Sequence, residues 1–222
     1  EVEPFQVSQA RFLLKQSWPY FPKGTIHVCV VDPGVGSARR PLLVQAAGHV
    51  FIGPDNGLFT DLLHLKGARA RHITNSKLFL KHLSQTFHGR DVFAPVAAHI
   101  AVGFAPAKAG PLVQDALRLT SGAPLRTGRR FFQGEVAHVD RFGNLITNLD
   151  SSEYLGMVEK GLRLSIGLTA IDRLATSYSG IPAGEPALIA GSSGSLEVVC
   201  NQASAAKALG VGVGAPVELE VW

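Results

Sequence analysis

Apolar and polar residues follow helical spacing at the start of the chain and strand-like runs after it. Residues 8–21 (SQARFLLKQSWPYF) place apolar side chains at helical spacing, and Pro19 marks the end of the predicted helix. Residues 22–32 (PKGTIHVCVVD) predict a turn into a fully buried strand, rich in valine and isoleucine. Residues 40–59 (RPLLVQAAGHVFIGPDNGLF) predict two strands joined around Gly48 and ending in an acidic turn.

A loop and a second helix follow in residues 83–103 (LSQTFHGRDVFAPVAAHIAVG). We predict that Asp91 caps this helix at its N-terminus. Pro95 then falls in the first helical turn, where a missing N–H does no harm. The first half of the chain therefore combines helices and strands.

The pattern changes after residues 105–128, which are rich in proline, glycine and alanine. Short strands separated by turns then recur: GEVAHVDRF, NLITNL, LRLSIG, PALIAG, SLEVVCN and PVELEVW. We predict an α/β N-terminal domain (1–108), a linker (109–128) and a smaller all-β, barrel-like C-terminal domain (129–222).

The composition of the chain argues against nucleic-acid, membrane and metal partners. The chain has 222 residues, 46% of them apolar, and a mild net charge of +4 with scattered basic residues, so we expect no nucleic-acid partner. No apolar stretch is long enough for a membrane span and no signal peptide is visible, so we expect no membrane partner and a cytoplasmic location. Two isolated cysteines and eight histidines without ligand spacing predict no metal.

A glycine-rich turn, VVDPGVGSARR (30–40), follows the first predicted strand. Phosphate binding is excluded because Arg39 stands where the third glycine of a dinucleotide loop belongs, and because Asp32 would repel a phosphate by several kcal/mol. A carboxylate at this strand end suits a hydroxyl group, a cation or a water molecule. The alternative is that Asp32 forms only a structural ion pair with Arg39 or Arg40.

Two more polar loops follow predicted strands: GPDNGLF (53–59) and TFHGRDVF (86–93), which contains His88. His88 taken alone is compatible with an ordinary loop histidine. Ligands of open α/β sheets, however, collect at the carboxyl ends of strands. The three loops together therefore predict one site.

The second half offers two further polar segments. VDRFGNLITN places Asp140 and Asn144 around a Phe-Gly turn, which is also compatible with a simple hairpin that uses Asx-turn hydrogen bonds. AGSSGSLEVV is not a nucleophile elbow, because Ser195 occupies the final glycine position. Its small residues could instead offer N–H groups and hydroxyls to a carboxylate.

These five motifs, in this order and spacing, resemble the S-adenosylmethionine (SAM) hydroxide adenosyltransferase family, hydrolytic relatives of the fluorinase and chlorinase enzymes. The resemblance runs from about residue 3 to the C-terminus. It implies an α/β N-terminal domain, a C-terminal β-barrel and a homotrimer with sites at subunit interfaces. The implied substrate is SAM, which water converts to adenosine and L-methionine by attack at C5′, without a metal or organic cofactor.

The resemblance also implies roles for individual residues. The Asp–Arg–His set of the hydrolytic members falls on Asp32, Arg39 and His88. The implied substrate-binding residues are Phe5 at the ribose, Asp140 and Asn144 at the amino acid and adenine, Tyr178 on adenine, and Ser192 and Ser193 at the methionine end.

One feature departs from the family pattern. Family members begin with a strand and a Thr-Asp-Phe-Gly motif, and this sequence starts after that motif. Either the sequence is a fragment, or this form has a weakened or absent activity because a ribose-binding group is lost, so a truncated, non-catalytic adenosyl-compound binding protein is one alternative. A halogenase that forms 5′-halo-5′-deoxyadenosine is the other. Halogenating relatives replace the Asp and the Arg, so Asp32 and Arg39 favour hydrolysis.

Overall fold

The protein has a mixed α/β structure with large β-sheets and few helices. The computed structural model describes residues 2–120 and 123–222, and these two ranges form two compact units. Within them, no helix is long and apolar enough to cross a membrane.

The unit 2–120 is built around a five-stranded sheet with the strand order β1-β3-β2-β4-β5. Strand β1 is parallel to β3, and the other neighbours are antiparallel. The elements are α1 (Val7–Ser17), β1 (Ile26–Val28), β2 (Pro41–Ala46), β3 (His49–Pro54), α2 (Thr60–Leu63), β4 (Arg69–His72), a π-helical turn (Gly89–Phe93), α3 (Ala94–Ala101) and β5 (Leu112–Val113).

Both faces of this sheet are apolar. Successive residues of β2 and β3 point to opposite faces of the sheet, and both sets include buried apolar side chains. Leu42 and Phe51 belong to one buried cluster, which includes residues of α1 and α2. Leu43 and Ile52 belong to the other, which includes Val96 of α3. Helices therefore cover both faces, and the loops at the strand ends are left to carry polar side chains.

Strand β1 differs from its prediction. The sequence predicted a fully buried strand, but among the described residues β1 pairs only with β3 and forms an edge of the sheet. Val28 is consequently 44% exposed. The predicted helix at the start of the chain is confirmed as α1, as is the strand pair joined around Gly48, whose φ of +83° suits glycine.

The unit 123–222 contains nine strands and two short helices. Its sheet has the order β10-β9-β14-β7-β8-β13-β12-β11, and β6 pairs with β7. The elements are β6 (Leu125–Arg126), β7 (Phe131–Val139), β8 (Leu145–Asp150), α4 (Ser151–Leu155), β9 (Leu162–Ile166), β10 (Thr169–Ile171), β11 (Leu174–Ala175), β12 (Pro186–Ala190), β13 (Ser195–Cys200), α5 (Ala205–Leu209) and β14 (Pro216–Val221).

The six strand segments predicted for this half of the chain are confirmed as β7, β8, β9, β12, β13 and β14. Alternate residues of β9 and β14 face one buried core, as the period-two pattern requires. Polar side chains needed for chemistry are thus left to the turns and to the outward-facing strand positions.

Candidate active site

Arg39 contacts the other two side chains that the family resemblance assigned to catalysis, Asp32 and His88. Its Nε donates to Asp32 Oδ1 at 2.9 Å, and one terminal nitrogen (Nη2) pairs with Asp32 Oδ2. The same terminal nitrogen lies 3.0 Å from His88 Nδ1. The structure thus brings Asp32, Arg39 and His88 together as one hydrogen-bonded network, which we name the catalytic cluster after the role that the family resemblance implies.

The catalytic cluster is shielded from solvent on the side of its ion pair. The side chains of Arg39 and Asp32 are 8% and 6% exposed. The Arg39 guanidinium also lies over the ring of Phe93, 5.2 Å from its centroid. Burial lowers the effective dielectric constant around the pair, so the mutual orientation of the two groups is more strongly fixed than in water.

The contact with Arg39 determines the tautomer of His88. A guanidinium has only donors, so His88 Nδ1 must accept the hydrogen bond. A neutral His88 therefore carries its proton on Nε2. This ring nitrogen can therefore donate a hydrogen bond.

Asp91 does not cap the helix, so that prediction is wrong. It is fully buried inside the turn Gly89–Phe93, and its carboxylate accepts from Ser84 N at 2.7 Å and from Arg90 Nε at 2.6 Å. The hydrogen bond from Arg90 is the largest of the effects that hold the pKa of Asp91 below its usual value. Its carboxylate points back toward the preceding loop, and so fixes the chain on both sides of His88.

In the unit 123–222, Asp140, Asn144 and Tyr178 form a second polar group, the hairpin cluster. Asp140 Oδ1 accepts from the backbone N–H groups of Phe142 (2.8 Å) and Asn144 (2.9 Å). Asn144 Nδ2 lies 2.8 Å from Asp140 Oδ2 and 3.1 Å from Tyr178 Oη. The Asx-turn hairpin is therefore present, and it also orients the side-chain amide of Asn144.

A pocket of about 560 Å³ opens beside the hairpin cluster. Its volume is in the range of small-molecule sites, and aromatic rings with a few polar groups are typical of such sites. The lining residues include Phe142, Asn144, Tyr178, Cys200, Gln202 and Ser204.

Ser192 and Ser193 lie in the loop before β13. Ser192 is exposed, whereas Ser193 is half-buried and its Oγ donates to Glu197 Oε1 at 3.3 Å. Burial is the main cause that raises the pKa of Glu197, and the negative charge of Asp140 adds to it. Glu197 was missed in the sequence, although a glutamate within the apolar run SLEVVC was a usable signal.

Phe5, the predicted ribose contact, lies before α1 and is 75% exposed. Within the described part of the chain, no hydrogen bond or ring contact joins it to the catalytic cluster. Nor do the described residues hold any group of three or more His, Cys, Asp or Glu side chains able to ligate a metal.

Comparisons with known proteins identify the family of the chain. Residues 1–110 match the SAM hydroxide adenosyltransferase N-terminal domain, and residues 134–218 match the C-terminal domain of the same family. The chain belongs to the SAM hydroxide adenosyltransferase family. The sequence-based recognition of that family is thereby confirmed.

Named relatives of this chain fall into two groups. An (R)-S-adenosyl-L-methionine hydrolase of Thermus thermophilus is 39% identical, over 97% of this chain and 84% of the relative. One of Salinispora tropica is 38% identical, over 95% and 80%. A fluorinase of Actinopolyspora mzabensis is 27% identical, over 92% and 80%.

The fold is shared with a solved structure. The crystal structure of an uncharacterised conserved protein from Thermotoga maritima superimposes with a TM-score of 0.90 at 34% identity, covering 99% of this chain and 86% of the other.

Proposed function

We propose that this protein hydrolyses SAM to adenosine and L-methionine. The observation that carries the proposal is the catalytic cluster, in which Arg39 joins the Asp32 carboxylate to the His88 imidazole. The named hydrolases match at 38–39% identity and the named fluorinase at 27%, which supports hydrolysis over halogenation.

The chemistry needs little besides a positioned nucleophile. As the water oxygen bonds to C5′, the C5′–S bond breaks, and its electron pair goes to sulfur to give the neutral sulfide of methionine. The sulfonium is already a good leaving group, so no general acid is required. Holding the reacting atoms near contact can lower the barrier by about 7–11 kcal/mol.

The roles of the cluster follow from its hydrogen bonds. Since His88 Nδ1 accepts from Arg39, His88 presents its Nε2–H to the attacking oxygen and orients it. Asp32 accepts the proton of the water. Arg39 fixes the orientation of this carboxylate through two hydrogen-bond donors. The proton then leaves to solvent.

The unit 123–222 supplies most of the binding groups in this proposal, and Phe5 of the unit 2–120 supplies one more. The aromatic pocket beside Asn144 and Tyr178 suits adenine, whose ring edge pairs with a side-chain amide. Asp140, Ser192 and Ser193 receive the amino-acid end, and Phe5 packs on the ribose. These assignments rest on the family resemblance and on the orientation of the hairpin cluster.

We further propose a barrel-like C-terminal domain after an α/β N-terminal domain, divided at about residue 120 rather than 108, because β5 (Leu112–Val113) pairs within the first sheet. The contact between β10 and β12, near the two ends of the strand order, supports a closed barrel. A homotrimer with substrate at subunit interfaces and a cytoplasmic location also belong to the proposal. Light scattering of the purified protein tests the trimer, which has three times the 23.6 kDa chain mass.

The first experiment is incubation of the purified protein with SAM, with and without added chloride, followed by chromatography. We expect adenosine and methionine in equal amounts without halide, and loss of both products in Asp32→Ala. Chloride-dependent 5′-chloro-5′-deoxyadenosine would instead establish a halogenase. Binding of SAM without any product would establish a binding protein and contradict the proposed hydrolysis.

A further inference from the structure

The loop that carries Asp32 and Arg39 is held at both of its ends by two consecutive residues, Asp55 and Asn56. These residues follow β3 and are outside the catalytic cluster. Their contacts are to Val31, directly before Asp32, and to Arg40, directly after Arg39.

Asn56 holds the first end of the loop. The backbone ladder between the β1 segment and β3 reaches Cys29, whose N–H donates to Ile52 O at 2.9 Å. Beyond Cys29, a side chain instead of the backbone makes the next contact: Asn56 Nδ2 donates to Val31 O at 2.8 Å. The orientation of the amide is fixed, because Oδ1 accepts from Leu58 N at 3.3 Å.

Asp55 holds the second end. Its N–H donates to Arg40 O at 2.9 Å, and its Oδ2 accepts from Arg40 Nε at 2.8 Å. The Asp55 side chain is only 5% exposed, and its Oδ1 accepts from Leu117 N at 2.8 Å. This carboxylate is therefore itself fixed by backbone and cannot follow Arg40 if the loop shifts.

Close packing leaves the Asp55–Asn56 segment little freedom. A Cβ at Gly53 would lie 2.2 Å from the carbonyl oxygen of Cys29, and a Cβ at Gly57 would lie 2.4 Å from the Leu119 side chain. Gly53 thus permits a backbone approach that a side chain would block, and Gly57 adopts a left-handed φ of +92° beside the Leu119 side chain. A segment fixed on both sides is a rigid base for the loop.

We propose that Asp55 and Asn56 are positioning residues, which fix residues 31 and 40 so that Asp32 and Arg39 meet in the geometry that the reaction needs. The inference rests on the proposed hydrolysis. An error of about 1 Å in the placement of a reacting group can reduce a rate about 100-fold, so the ends of this loop matter to catalysis. Neither residue needs to touch the substrate.

The chain contains a matched control for Asn56. Asn75 has the same hydrogen-bonding pattern in the same unit: its Nδ2 donates to Lys108 O at 3.1 Å, and its Oδ1 accepts from Lys77 N at 3.2 Å. It does not hold the Asp32 loop. Asn56→Asp and Asn75→Asp therefore remove the same donor and add the same charge. They differ in the backbone that loses its contact, which is Val31 beside Asp32 in the first case and Lys108 in the second.

The test measures kcat, KM and thermal stability of both variants, with crystal structures of each. We expect Asn56→Asp to lower kcat at least about tenfold with KM within about twofold, and to displace Asp32 from Arg39. Asn75→Asp should keep the wild-type kcat and the Asp32–Arg39 pair. Should Asn56→Asp fail to fold, Asn56→Ala removes the donor without adding charge, and the same results are expected.

An unchanged kcat in Asn56→Asp, or an intact Asp32–Arg39 pair in its crystal structure, would overturn the positioning role. Failure of the proposed function is a separate result, namely wild-type protein that makes no adenosine. The crystal structures still decide the positioning role in that case, because they do not depend on activity.

Discussion

Arg39 is the residue on which the geometry of the catalytic cluster depends. Its guanidinium meets both oxygens of Asp32 and the Nδ1 atom of His88. An ammonium group is a single nitrogen on a flexible stem and cannot reproduce a planar fork that faces two partners. The cluster therefore needs arginine, and a positive charge alone is insufficient.

We expect Arg39→Lys to lower kcat about 100-fold with a small change in KM. The reason is that Asp32 and His88 lose their fixed positions relative to each other, whereas the substrate-binding groups are unchanged. Steady-state kinetics with SAM measures both constants. Arg11→Lys is the matched control, because Arg11 makes a two-point ion pair with Asp61 in the same unit. A wild-type kcat in Arg39→Lys would contradict the planar-fork requirement.

At the scale of elements, the turn between β7 and β8 shows how backbone shape prepares a site. Gly143 has a φ of +86°, and a Cβ there would lie 2.0 Å from Ser204 Oγ. Its N–H also donates to Asp140 O at 3.0 Å. The turn thus needs glycine for two separate reasons, a left-handed backbone and a close approach of the segment before α5.

Gly143→Ala should lower the free energy of unfolding by about 2–4 kcal/mol, from backbone strain plus the collision with Ser204. Gly184→Ala separates the two causes, since Gly184 has a φ of +78° with open space around it. We expect it to lose only about 1–2 kcal/mol. Urea unfolding followed by circular dichroism measures both, and equal losses would exclude the collision.

The order of apolar, polar and turn residues predicted those elements that depend on residues close together in the chain. The hairpin around Gly48 and the six strands of the second half were found because alternation and turn residues are local. Strand β1 was misjudged because its run of apolar residues is the same for an edge strand and a central one. Asp91 was misjudged because its partner, Ser84 N, lies in the loop before the helix.

At the scale of the whole molecule, the sites depend on distant parts of the chain. Arg39 and His88 are 49 residues apart, and no spacing rule within the sequence predicts their contact. The family resemblance identified them through their motifs. It gave no role to Asn56 or Glu197, because their importance lies in contacts with a backbone carbonyl and with Ser193 that only the fold creates.

The stability of the whole molecule should also depend on pH through His27. Its Nε2 lies 3.2 Å from Nδ1 of His49, and its ring stacks on Phe51 with centroids 4.7 Å apart. Burial, and then the charge of His49, lower the pKa of His27 below its usual value of about 6.5. The unfolded chain therefore binds more protons than the folded one as pH falls below about 6.5.

It follows that His27 stabilises the fold above about pH 6.5, and that this contribution is lost as pH falls toward the lowered pKa of the folded state. Glu197, whose pKa is raised, acts in the opposite direction, so a variant is needed to isolate the histidine. We expect the free energy of unfolding to fall less between about pH 7.5 and pH 5.5 in His27→Gln than in the wild type or in His82→Gln, which alters an exposed histidine. Urea unfolding at both pH values measures the difference. An identical pH dependence in all three proteins would mean that His27 keeps an ordinary pKa in the folded chain.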